Sequence, residues 1–188
     1  MDIANPYRPG AGLMPGYLAG REEIINKADE VFSALTENIP VQSVTYVGYR
    51  GVGKTVLLNR LQEIAEEKGI AGYHIEVTKS GSFVTKLADS CRKFLRSSSV
   101  SERAKGIFSE ALDALRAIEI SYKPDSNEFS LSLQEKMLYA NTDISQGLQD
   151  LFEAIGEISK KKERPICFFI DEFQYSSQDE MDAFISAL

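Results

Sequence analysis

The sequence contains few of the residues on which several protein classes depend. It has two cysteines, Cys91 and Cys167, and a single histidine, His74. Both cysteines lie in apolar, periodic stretches and neither belongs to a Cys-x-x-Cys pair, which argues against a disulfide framework and a cysteine-based zinc site. A lone histidine in a strand-like stretch is more often structural than a metal ligand or general base. We therefore expect buried, reduced cysteines in a cytoplasmic protein.

Long apolar runs and a surplus of positive charge are also missing. No stretch approaches the roughly 20 apolar residues that a helix needs to cross a bilayer, and the beginning, MDIANPYRPG, lacks a signal-peptide pattern. The formal net charge is −7, which disfavours direct binding to nucleic-acid phosphates. The one basic cluster, residues 160–162 with Arg164, falls at the end of a predicted helix, where cations favour the helix dipole. Neither membrane insertion nor nucleic-acid binding is expected of this chain.

The first half of the chain alternates helix-like and strand-like segments. Apolar residues at helical spacing predict a helix from Glu22. Val41, Val44, Tyr46 and Val47 predict a strand over residues 41–47, and residues 54–68 predict a helix that ends at Gly69. Residues 71–77 predict a further strand. Strand, loop, helix and strand in this order predict a βαβ unit with parallel pairing.

The second half continues the alternation, with one inserted element. An apolar stretch at 166–170, typical of a strand buried on both faces, ends abruptly in two acids. The predicted elements are helices near 84–95 and 104–112, a β-hairpin near 118–133, a helix over 143–161, the strand at 166–170 and a last helix behind a capping box of Ser177 and Glu180.

The stretch VTYVGYRGVGKTVLL, residues 44–58, carries the main chemical signal. Glycine, four residues, then Gly-Lys-Thr between a strand and a helix is the pattern of a phosphate-binding loop. Glycines let successive backbone N–H groups face a polyphosphate, and the helix N-terminus adds positive charge. Lys54 is expected to reach the β and γ phosphates, and the Thr55 hydroxyl to bind Mg²⁺. The candidate nucleotide contacts are Gly48, Tyr49, Arg50, Gly51, Val52, Gly53, Lys54, Thr55 and Val56.

Two acids, Asp171 and Glu172, end the predicted strand at 166–170. Ligands of open parallel sheets bind beyond the carboxyl ends of the strands, which would bring these acids to the edge that carries the phosphate loop. Asp171 then suits the role of a second Mg²⁺ ligand beside Thr55. Glu172 suits a carboxylate that polarises the attacking water, which makes Glu172 and Lys54 the candidate catalytic residues.

With these motifs, the chain resembles the AAA+ P-loop ATPases, in particular the branch of origin-recognition-like initiators and STAND-type bacterial ATPases. The segments PGYLAGREE at 15–23, GYRGVGKT at 48–55 and FFIDEFQ at 168–174 carry the resemblance. It implies that Leu18, Gly20 and Arg21 lie beside the adenine of ATP. The implied fold is a three-layer α/β P-loop NTPase of the ASCE/AAA+ type with a mostly parallel sheet. Residues 1–20 would form an arm that contacts the nucleotide, and residues 21–188 the ATPase core.

The resemblance also implies elements that should follow the acidic pair. Members of the family continue with a fourth strand that carries a sensor residue, a fifth strand, an arginine finger and a helical lid. The fourth strand lies between the first and third, so without it the sheet would have a gap and unpaired edges, which favour association. We therefore expect these 188 residues to be the front portion of a longer polypeptide, with partners, or other copies, bound through the following parts.

Three functions are compatible with these observations. The first is Mg²⁺-dependent binding and hydrolysis of ATP, slow or absent in this portion without the arginine finger and sensor. The second is a nucleotide-gated interaction module that turns over little ATP. The third is a DNA-associated, initiator-like ATPase, which rests on kinship alone and which the acidic balance disfavours.

Overall fold

The computed structural model describes residues 20–97, 105–122 and 143–188. Leu18, with most of the predicted N-terminal arm, lies outside the described residues, as do residues 123–133 of the predicted hairpin. Contacts within the chain divide it into two units. One reaches to His74 and includes residues 163–171, and the other comprises residues 75–162 and 172–188.

The first unit contains two helices, one whole strand and the part of a second strand that ends at His74. Helix α1 spans Glu22–Thr36, helix α2 Lys54–Glu67, strand β1 Ala71–Glu76 and strand β2 Ile166–Asp171. The two strands are hydrogen-bonded neighbours in a parallel sheet. Helix α2 packs against both α1 and β2. The core of this unit consists of Ala28, Phe32, Leu57, Leu61, Ile64, Ala65, Ile70 and Phe169.

The strand predicted for residues 41–47 is wrong for this structure. These residues form no strand, and Val44 and Val47 are 58% and 93% exposed. Only Tyr46 of this stretch packs against the core. A β-strand is stabilised by a neighbouring strand and by packing on its faces. The valine-rich composition of residues 41–47 favours a strand. The two described strands pair with each other, however, so residues 41–47 have no neighbouring strand to hydrogen-bond with.

The second unit is mainly helical. It contains α3 (Phe83–Ser97), α4 (Lys105–Tyr122), α5 (Ile144–Lys161), a 3₁₀ turn (Phe173–Tyr175) and α6 (Gln178–Ser186). None of the described helices combines the length and apolar composition that a membrane span requires.

The largest helix–helix contact of this unit lies between α4 and α5. A Cβ atom added to Gly147 of α5 would lie 3.1 Å from Cγ1 of Ile118 on α4, so the glycine permits a close approach there. Residues 118–122, where the sequence predicted the start of a hairpin, are therefore the last residues of a helix. Their alternating polarity resembles a strand over this short stretch, but the contact with α5 favours a helix.

Cys91 is buried and Cys167 is half-buried. Burial raises the pKa of Cys91, on α3, to about 12, and it raises the pKa of Cys167, on β2, to about 11. The thiolate is the reactive form, and at pH 8 a pKa near 11 leaves about one thiol in a thousand ionised, against roughly a quarter for a free cysteine. The expectation of buried cysteines is met by Cys91, whereas Cys167 is only half-buried.

We expect a thiol-specific chromogenic reagent at pH 8 to modify neither cysteine in the folded protein within minutes, and to modify both after unfolding in urea. The slow modification should follow the rate of unfolding. Rapid modification of the folded protein would contradict the shielding of these two thiols from solvent.

Candidate functional site

The phosphate-loop segment curves back on itself at its glycines. Gly51 and Gly53 have φ angles of 82° and 84°, in the left-handed region. A residue with a Cβ atom pays about 1–2 kcal/mol for this conformation, whereas glycine adopts it freely. Gly53 is also the N-cap of α2, and its carbonyl accepts the first helical hydrogen bond from the Leu57 N–H at 2.9 Å. The loop therefore leads directly into the helix.

The ammonium group of Lys54 lies against the beginning of the loop. Nζ donates hydrogen bonds to the carbonyl oxygens of Gly48 and Tyr49, both at 3.0 Å. The chain from residue 48 to residue 54 thus closes around one positive charge. An anion that enters this curve would meet the ammonium group and the backbone amides together.

The N-terminus of α2 contributes further positive charge. Its N-cap, Gly53, has no side chain that could cap the amides of the first turn, and that turn carries no acidic residue. The amides of the first turn and the helix dipole together favour an anion at this position. Val56 lies half-buried in this turn, whereas Arg50 and Tyr49 are exposed.

The structure brings Thr55 and Asp171 together. The Thr55 hydroxyl donates a hydrogen bond of 2.6 Å to Oδ2 of Asp171, although the residues are 116 positions apart in the chain. Thr55 is in the first turn of α2, and Asp171 is the last residue of β2, with 7% of its surface exposed. The packing of α2 on β2 sets this distance. The buried carboxylate of Asp171 therefore contacts Thr55, the residue that directly follows the loop lysine.

This pair suits a hard divalent cation. A hydroxyl and a carboxylate are oxygen ligands, and Mg²⁺ in proteins typically takes one or two carboxylates together with phosphate oxygens and water. Among the described residues, no cluster of three or more His, Cys, Asp or Glu side chains could hold a metal ion. A cation at Thr55 and Asp171 would therefore need ligands from a bound phosphate.

Glu172 begins the second unit, directly after Asp171. Its backbone has a left-handed φ of 55°, and its Oε2 accepts a hydrogen bond from the side-chain amide of Gln174. The turn behind it is held by aromatic packing, since the rings of Phe173 and Phe83 lie 5.1 Å apart, edge to face. Its role as the carboxylate that activates water stays a prediction.

Arg21 makes a contact that the sequence did not reveal. Its Nη2 donates a hydrogen bond of 2.8 Å to the carbonyl oxygen of Val52, within the phosphate-loop segment. The two residues are 31 positions apart, and no periodicity or motif spacing links them. The resemblance led us to expect Arg21 near the adenine, and the structure adds a contact with the loop itself. Gly20, before it, has a left-handed φ of 70°.

A glycine-rich loop that leads into α2, with an acid-ended parallel strand beside that helix, is typical of a P-loop NTPase, although residues 41–47 do not form the strand that precedes the loop in that motif. A family model described as AAA ATPase domain matches residues 17–188. The match covers nearly the whole chain, so the chain belongs to this family of P-loop ATPases. The α/β fold agrees with this assignment. No curated protein and no solved structure gives a significant match.

Proposed function

We propose that the chain binds ATP with Mg²⁺ at the loop of residues 48–55 and serves an ATP-hydrolysing AAA+ protein. The observation that carries this proposal is the 2.6 Å contact between Thr55 and Asp171. Family membership supports an ATPase. The contact brings a hydroxyl and a carboxylate together at the first turn of α2, directly after the phosphate loop.

Phosphate binding would use groups that already face one another. Lys54 would exchange the carbonyl oxygens of Gly48 and Tyr49, at 3.0 Å, for oxygens of the β and γ phosphates. Both sets of hydrogen bonds have a charged donor, but the phosphate oxygens add the attraction of an opposite charge, which favours the exchange. The amides of the loop and of the first turn of α2 would hold the remaining oxygens.

Thr55 and Asp171 would hold Mg²⁺ together. The ion, when bound, would neutralise negative charge on the phosphates. For this the Thr55 hydroxyl would turn its proton away from Asp171 and offer a lone pair. Glu172, the next residue along the chain, would orient and polarise the attacking water. The three motifs at 15–23, 48–55 and 168–174 favour the origin-recognition-like and STAND branch of the family.

ATP is the proposed nucleotide, although residues 26–29 read Asn-Lys-Ala-Asp, a tetrapeptide of the type that reads guanine in GTPases. Here it lies inside helix α1. Lys27 pairs with Glu23 at 2.8 Å, and Asp29 pairs with Lys68 at 3.0 Å. The buried Ala28 belongs to the core. These contacts favour a structural role for the tetrapeptide.

Replacing Lys54 with alanine tests the proposal. We expect the dissociation constant for Mg²⁺–ATP, measured by calorimetry or with a fluorescent analogue, to rise about 10- to 100-fold, because a charge-assisted hydrogen bond to phosphate contributes about 1.5–3 kcal/mol. Lys27→Ala is the matched control, since it removes one exposed ammonium group from the same unit and should change the affinity less than twofold. Equal affinities of Lys54→Ala and the unchanged chain would contradict the proposed loop.

A further inference from the structure

The hydrogen bond from Arg21 to the phosphate-loop segment comes from a firmly anchored residue. Arg21 is the N-cap of α1, and its own carbonyl accepts the Ile25 N–H at 3.0 Å. Its guanidinium donates to the Val52 carbonyl at 2.8 Å. The side chain thus connects the start of one helix to the loop that precedes the next.

Helix α1 is held in place along its length. Phe32 packs edge to face on Phe169 of β2, with ring centroids 6.1 Å apart. Lys68, behind the end of α2, contacts Asp29 and Ser33 of α1, both at 3.0 Å. Because α1 is fixed to α2 and β2 by these contacts, Arg21 projects from a rigid support.

The Val52 carbonyl shares a peptide unit with the Gly53 N–H. In a trans peptide the C=O and the N–H lie in one plane and point in opposite directions. A donor that holds the Val52 oxygen on one side therefore directs the Gly53 N–H to the other side. This N–H lies at the entry to α2, where the loop amides would meet a phosphate.

A glycine loop needs such a restraint. Gly51 and Gly53 have positive φ angles here, but glycine populates both signs of φ about equally. The peptide between Val52 and Gly53 can consequently rotate at little cost, which would turn the N–H away. The Val52 side chain also lies close to Gly48, since a Cβ atom added there would be 3.2 Å from its Cγ2. Arg21 restrains the carbonyl of the same residue.

We propose that Arg21 is a positioning residue, which fixes the Val52–Gly53 peptide with its N–H toward the bound polyphosphate. This inference rests on the proposed nucleotide site and deepens it. It assigns the binding contribution of Arg21 to the phosphate chain of the ligand, not to the adenine. The affinity for inorganic tripolyphosphate, which has no base or ribose, should therefore depend on Arg21 as strongly as the affinity for ATP does.

The test compares the unchanged chain with Arg21→Met, which keeps the aliphatic stem, and Arg21→Lys, which keeps a positive charge that can donate hydrogen bonds. Calorimetry with Mg²⁺–ATP and with Mg²⁺–tripolyphosphate should show the same loss for both ligands in Arg21→Met, about tenfold, as expected for one hydrogen bond from a charged donor. Arg21→Lys should recover part of the lost affinity for both ligands. In the absence of any ligand, the NMR order parameter of the Gly53 amide should fall in Arg21→Met, because the peptide is no longer held.

The outcomes separate this inference from the proposed function. A loss for ATP with unchanged tripolyphosphate affinity would place Arg21 at the base or ribose and overturn the inference. So would unchanged affinities for both ligands, or an equal loss in Lys27→Met, which removes a charge from the same helix without touching the loop. If the unchanged chain bound neither ligand, or if Lys54→Ala bound as tightly, the proposed function itself would fail. Thermal melts of each variant verify folding.

Discussion

Replacing Asp171 with asparagine is expected to weaken ATP binding in the presence of Mg²⁺ but not in the presence of a chelator. The unchanged chain should bind ATP more tightly with Mg²⁺ than with a chelator, because Thr55 and Asp171, 2.6 Å apart, would share the ion with the phosphates. Asparagine offers a weaker, neutral ligand. We expect about a 30-fold loss of affinity in Mg²⁺, equivalent to about 2 kcal/mol.

With the chelator, the same substitution should have the opposite sign. It removes one negative charge from the neighbourhood of the phosphates, so ATP should bind as well as, or better than, to the unchanged chain. The fold should persist, because the amide oxygen of asparagine can still accept the Thr55 hydroxyl proton. Calorimetric titrations in the two buffers measure both effects.

Two further variants sharpen this experiment. Thr55→Val is close to isosteric but has no hydroxyl, and combined with Asp171→Asn it should cost less than the sum of the two single losses, because both act through one ion. Asp150→Asn, on the exposed face of α5, is the control for charge alone. If Asp171→Asn weakened ATP binding equally in both buffers, the metal role of this pair would be wrong.

Local signals predicted most of the helices because their causes lie within a few residues. The apolar stripe from Glu22 and the stop at Gly69 locate α1 and the end of α2. Asp143 caps α5 by accepting the Ser145 N–H, and Ser177 with Glu180 forms the capping box of α6. Such signals need no knowledge of distant parts of the chain.

What the sequence could not supply were the contacts between distant residues. The strand predicted at 41–47 depended on a neighbouring strand, and β-branched composition does not say whether one exists. The contact of Arg21 with Val52 depends on where α1 packs, which follows from the core it shares with α2. The proximity of Thr55 and Asp171 was expected only through the general rule for parallel sheets.

A large loss of stability is expected when Glu180 is replaced. It is the least exposed carboxylate of the described residues, with 3% of its surface accessible. Its Oε1 accepts the Ser82 hydroxyl at 2.7 Å and the Val84 N–H at 3.2 Å. Its Oε2 accepts the Ser177 N–H at 3.0 Å. One carboxylate therefore caps the beginning of both α3 and α6. The sequence predicted only its local partner, Ser177.

Glu180→Gln retains the shape but replaces one acceptor oxygen with a donor. That NH₂ group would face the buried Val84 N–H or the part-buried Ser177 N–H, so at least one backbone donor would lose its partner and meet another donor. A hydrogen bond to a charged group contributes about 1.5–3 kcal/mol, and a lost cap adds about 1 kcal/mol. We expect the free energy of unfolding to fall by about 3 kcal/mol and Tm by about 6–12 °C, as measured by urea and thermal unfolding.

The matched control is Asp179→Asn, at the exposed neighbouring position of the same first turn. It removes a charge that only complements the helix dipole and should cost about 0.3–1 kcal/mol. Ser82→Ala removes the link to α3 alone, so its effect should be contained largely within that of Glu180→Gln in a double-mutant cycle. If the losses of Ser82→Ala and Glu180→Gln were additive, the two helix ends would be stabilised independently. If Glu180→Gln and Asp179→Asn lowered the free energy of unfolding equally, the burial of Glu180 would give its carboxylate no special role.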